Sequence, residues 1–169
     1  MTTLHNLQEI LTAYLVNQGI PARSAWPRED KHLLTEPLVL VKVKEVEALP
    51  VGLQHYLGDV VDTASGRARE VYGRRANVRY ALELYSPVQS GEEGCRVLLD
   101  EVAGALQVGS PAGLTLDSWS MGETAFQKAS GMFYGRLLVQ GRCLLVAETD
   151  ETGAFLGFEV KGAIEVCLS

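Results

Sequence analysis

The sequence predicts an α+β fold, an antiparallel or mixed β-sheet with two helices packed on one face. Three observations lead there. Two segments carry apolar residues at helical spacing, while several others alternate with a period of two or run continuously in β-branched residues. Their order, helix, strands, helix, strands, is not that of a repeating βαβ chain. The 169 residues are 47% hydrophobic and 21% charged, ordinary globular usage, and enough chain to bury about two-thirds of its unfolded surface. No internal repeat or low-complexity linker divides it, so residues 1–169 read as one domain.

The first helix spans Thr3 to Gln18, with Leu4, Leu7, Leu11, Tyr14 and Leu15 on one stripe and Ile10 alongside. Gly19 and Pro21 stop it. Leu38 to Lys44, behind Pro37, is a central strand whose beginning is apolar on both faces. Asn77 to Leu84 places Val78, Tyr80, Leu82 and Leu84 on one side of a second strand, which Ser86 and Pro87 end. Ser90 and Glu93 have the spacing of a capping box, so a second helix follows, with Cys95, Leu98, Leu99, Val102 and Leu106 on its stripe and Gly109, Ser110 and Pro111 at its close. Leu114 to Met121, Met132 to Thr149 and Phe155 to Cys167 are further strands, with a bulge or turn expected at Gly141 and a turn at Asp150 to Gly153.

Between Leu57 and Val78 the chain turns polar. A loop or hairpin projecting at about residues 58–77 is expected there, carrying Arg67, Arg69, Arg74 and Arg75, with Arg79 just beyond, against Asp59, Asp62 and Glu70. The plain reading is a solvated loop. The functional reading is an arm whose guanidiniums pair with carboxylates of a neighbouring subunit, since arginine favours planar bidentate contacts. Trp26, in the run Ala25, Trp26, Pro27, Arg28, suits an exposed edge or loop and an interface anchor. The candidate subunit interface is therefore Trp26, Arg67, Arg69, Arg74 and Arg75.

No pattern of catalytic residues emerges. His5, His32 and His55 stand outside HxH, HExxH or paired-cysteine contexts, and Cys95, Cys143 and Cys167 are odd in number and widely spaced, so neither a metal nor a disulfide framework is expected. Cys95, early in its helix, is a candidate nucleophile by position, but its apolar stripe favours a small buried hydrophobe. Gly91 to Gly94 lacks the form of a phosphate loop, and its two glutamates suit the helix N-terminal dipole instead. There is no GxSxG elbow and no assignable carboxylate pair. The reading is of a protein that is not an enzyme and needs no cofactor.

A net charge of −6 disfavours phosphate backbones and anionic lipid, so direct nucleic-acid recognition and membrane association are not expected. Neither an export signal nor an eighteen-residue apolar span is read in the chain, and a reducing cytoplasm is the compartment expected.

The opening helix through Leu15 followed by Ile20, Pro21 and Ala22, the strand Tyr80 to Tyr85 leading through Ser86, Pro87 and Ser90 into the helix with Cys95, and the closing run Phe155 to Gly162 together carry a resemblance. In this layout the chain resembles the tail-terminator and tail-completion (minor tail) proteins of long-tailed phages and prophages, over nearly its whole length. That resemblance implies a structural protein of virion assembly: a homo-oligomeric ring, commonly hexameric, that caps the tail tube and joins it to the head connector. The partners implied are further copies of the chain, the tail tube protein and head–tail connector proteins, in the bacterial cytoplasm during assembly and then in the virion tail. A head–tail connector or baseplate component, and a small-ligand-binding regulatory module, are the alternatives.

Overall fold

The computed structural model describes residues 4–26, 34–53, 55–149 and 152–162. Two long antiparallel strands form its spine: β4, Ala68–Ser86, and β7, Met132–Thr149. At 19 and 18 residues, each is about 60 Å long. Along the free side of β4 lie, end to end, β2 (Leu38–Pro50) and β3 (Tyr56–Val61); along the free side of β7 lie β6 (Ala125–Gln127), β5 (Thr115–Met121) and β8 (Phe155–Lys161). A two-residue strand, β1 (Ala22–Arg23), runs parallel to β2, and it alone makes the described sheet mixed.

The helices are α1, Asn6–Asn17, and α2, Gly91–Val108. Both lie on one face: Leu7, Leu11 and Leu15 from α1 and Cys95, Leu98, Leu99 and Val102 from α2 share a core with Val39, Val41, Val78, Tyr80, Leu82, Leu84, Leu137 and Val139. The Tyr14 hydroxyl donates to the Ala105 carbonyl at 2.8 Å, joining the helices. On the other face Leu38, Leu40, Tyr85 and Met132 form a smaller cluster, so the start of β2 is buried on both sides as its unbroken apolar run requires.

Helix α1 ends as the sequence indicates. Gly19 adopts φ 82, the Ile20 amide bonds the Leu15 carbonyl and the Gly19 amide that of Val16, which is a Schellman motif made possible by a residue without a Cβ. The start of α2 corrects an expectation. Ser90 does not cap it: the residue is already in the helical region and its side chain makes no capping bond. A 3₁₀ turn over Val88–Ser90 feeds the helix, and the Ser86 hydroxyl, donating to the Gly91 carbonyl at 2.9 Å, ties the turn back to β4. Glu92 and Glu93 do stand in the first turn, where the amide dipoles favour them.

Gly141 is not a turn, and the bulge expected there belongs to the strand opposite it. It lies inside β7, paired with Val78 on one side and Leu116 on the other, and the irregularity is in β5, whose register shifts between Leu116 and Ser118. A Cβ at Gly141 would meet the Thr115 carbonyl oxygen at 2.9 Å, so glycine lets the bulged strand approach. Strand β8 ends at Lys161; the expected continuation to Cys167 lies outside the described residues, as do Asp150 and Glu151 of the expected turn. No described helix is long and apolar enough to cross a membrane.

Candidate subunit interface

The core helices cover only the end of the sheet where β4 carries Val78 to Leu84. Toward the other end the spine continues as a ribbon of β3, β4, β7 and β8, with β3 and β8 as its edges. Among the described residues, each edge strand has a partner on one side alone. Both carry exposed apolar side chains: Tyr56, Leu57, Val60 and Val61 on β3, and Phe155 and Leu156 on β8, with Val51 and Leu53 in the crossing between β2 and β3. Val60, Val61 and Phe155 each leave more than half of their surface in water, at 53%, 58% and 55%. Isolated exposed apolar residues are ordinary, whereas a run of them on strand edges makes these edges candidate contact surfaces.

The polar segment 58–77 is thus a hairpin only in its first half. Its tip is ordered by its own chemistry. Asp62 accepts from the Ala64 amide at 2.9 Å and the Ser65 hydroxyl at 2.8 Å, its carbonyl accepts from the Gly66 amide at 2.7 Å, and Gly66 adopts φ 68. The Ala64 amide, then the Ser65 hydroxyl, hold the Asp62 carboxyl below the usual aspartate value. From Val71 onward the segment is built into the sheet against β7, and Arg74 and Arg75 lie opposite Leu145 and Leu144.

The five residues singled out in the sequence do not converge on one site. Arg67 stands exposed at the tip, and Arg69 reaches across to Glu148 of β7 at 3.5 Å. Arg74 and Arg75 are exposed where ribbon and helix-covered sheet meet. Trp26 is at the far end: half-buried, its ring 4.7 Å from that of Tyr85, packed with the Leu38 and Leu40 cluster on the helix-free face. Trp26 thus lies in a loop, as expected, but is half-buried against Tyr85 instead of fully exposed.

Of the three histidines, His5 is exposed, 3.4 Å from Glu9, His55 lies in the crossing to β3, and His32 is outside the described residues. No group of three or more His, Cys, Asp or Glu among the described residues is arranged to hold a metal. The Cys95 thiol is buried against both helices and strands, and burial, with the Glu92 charge second, raises its pKa. A thiol so placed packs as a small hydrophobe.

The apolar edge residues escaped the sequence reading. Their signal was present, in Tyr56, Leu57, Val60 and Val61 at the entry to a charged stretch, but Leu57 occupies a register shift between Tyr56 and Gly58, and the shift breaks the alternation that would have marked a strand.

No protein-family model matches the chain, and no curated protein matches it in sequence. Among solved structures it is similar to one described as the sheath/tube terminator of an extracellular contractile injection system, PVC, in its extended state. Identity is 14% and the TM-score 0.48, over 100% of this chain; the chain spans 66% of that one, just under two-thirds of its length.

Proposed function

We propose that the chain is a structural assembly protein of a phage or prophage tail, forming a homo-oligomeric ring that caps the tail tube and joins it to the head connector. One observation supports the assembly role: among the described residues, the ribbon has no helix over it and two apolar edges without a strand partner. A lone subunit with two such edges invites uncontrolled strand pairing, and head-to-tail closure into a ring removes both at once. The tail-terminator layout of the sequence supplies the context in which such a ring works. In this reading the two ring faces and the contacts between subunits carry the function, and no residue acts as a catalyst.

The test is tail length by electron microscopy after deletion of the gene from its parent element. Overlong tubes are expected, because a terminator limits tube growth. Tubes of normal length lacking heads would move the protein to the connector, and unaffected particles would overturn the tail reading.

A further inference from the structure

The arm and the far end of the molecule differ in the charges they leave unmatched. On the arm the acids are engaged locally: Asp62 in the turn, Glu70 accepting from the Tyr72 hydroxyl at 2.7 Å, Asp59 beside the Tyr56 hydroxyl. Arg69 is paired with Glu148, whereas Arg67, Arg74 and Arg75 are exposed and make no ion pair among the described residues. At the helix-covered end a groove of about 480 Å³ runs between α2 and the β5–β6 connection, lined by Glu92, Arg96, Leu99, Asp100, Met121 and Glu123. Arg96 is taken by Glu92 at 2.9 Å. Asp100 and Glu123, with Glu93 and Glu101 on exposed positions of α2, have no ion-pair partner among the described residues. The groove also presents an apolar surface, since Met121 is half exposed.

These two regions do not meet within one molecule. The groove lies level with Leu82, because Met121 pairs with Leu137 and Leu137 with Leu82. From there to Arg67 is fifteen residues of the strand and its turn, about 50 Å at 3.3 Å per residue, and to Arg75 about 23 Å by the same rise. An arginine side chain spans only a fraction of either distance.

We propose that the arginine-bearing arm of one subunit docks in the groove between α2 and the β5–β6 connection of a second copy of the chain. Complementary charge selects this occupant: exposed arginines of the arm meet Asp100 and Glu123, the two groove carboxylates without an ion-pair partner among the described residues, and the apolar flank of the arm at Val60 and Val61 meets Met121. Because donor and acceptor surfaces sit at opposite ends of a stiff sheet, the contact is heterologous and propagates head to tail. It rests on the ring-forming reading and adds a contact of arm with groove to the closure of the two ribbon edges.

The experiment is sedimentation velocity on the full chain, with circular dichroism confirming that each variant is folded. Arg67→Glu with Arg74→Glu reverses the arm, and Asp100→Lys with Glu123→Lys reverses the groove; all four positions are exposed. Each pair of reversals is expected to weaken assembly at least tenfold, and the chain carrying all four to recover it. Neutral versions, Arg67→Gln and Asp100→Asn, give the same direction should a reversed chain fold poorly. Assembly that ignores the reversals, or that fails to recover when all four are combined, overturns the docking while leaving the ring intact. A wild-type chain that stays monomeric overturns both.

Discussion

The Tyr80 phenol is buried in the core and donates to the Leu7 carbonyl at 2.9 Å, fastening β4 to α1. Tyr80→Phe keeps the ring and removes that bond, so stability should fall by about 1 kcal/mol, read from denaturant midpoints. Burial raises the Tyr80 phenol well above its usual value and the Cys143 thiol to about 11. Both groups keep their protons longer in the folded state than in the unfolded chain. Their contribution is therefore complete below the unfolded values of 9.0 for the thiol and 10.0 for the phenol, and is lost as pH rises toward the folded ones. Stability measured by urea titration should be level across neutral pH and begin to fall above about pH 9, with Cys143→Ala removing the earlier part of the fall. The same burial predicts that Cys95 and Cys143 react with a thiol reagent only after unfolding, tested on a Cys167→Ser background. Rapid labelling of Cys95 in the folded chain would reopen a nucleophilic role for it.

Helices α1 and α2 cover the sheet at one end, and among the described residues no helix lies over the other end, where β3, β4, β7 and β8 form the ribbon. Backbone amides of β4 between Val78 and Leu84 should exchange with solvent only on global unfolding, and those of β3 and the start of β4 orders of magnitude faster, by hydrogen exchange of the isolated subunit. Where a pattern was strict, the sequence was a sound guide. Val78, Tyr80, Leu82 and Leu84 alternate because one side of β4 meets the helices, and Leu7, Leu11 and Leu15 recur because α1 lies flat on it. It misled where two local solutions compete. Ser90 and Glu93 have the spacing of a capping box, yet the 3₁₀ turn and the Ser86 hydroxyl already organise that corner. It was silent where partners come from distant residues: the Gly141 approach depends on a bulge in β5, and β1 exists because the Val39 amide finds the Pro21 carbonyl at 2.9 Å. The arginines of the arm were visible as composition, but their division between tip and sheet follows from the pairing of β4 with β7, a long-range register no local pattern encodes.

At the scale of the whole molecule, the two ribbon edges differ from the helix-covered end in what a second copy would do for them. Exposed apolar residues on β3 and β8 contribute little to the isolated fold, since their side chains already lie largely in water. Replacing Val60 and Val61 with lysine should therefore change the stability of the monomer by about 0.5 kcal/mol or less per site. In an assembly the same residues are desolvated, and a lysine on a strand edge is the usual device by which proteins prevent edge pairing. The double variant, and independently Phe155→Lys on the opposite edge, should shift the oligomer toward monomer in native mass spectrometry while melting near the temperature of the dissociated wild type. A heterologous contact requires both edges, so either change alone should suffice, and mixing the two variants should not restore full rings because each supplies a defective edge to every closed path. If lysine on β3 blocks assembly and lysine on β8 leaves it unchanged, the proposed ring is closed by the arm and groove, and the β8 edge takes no part in it.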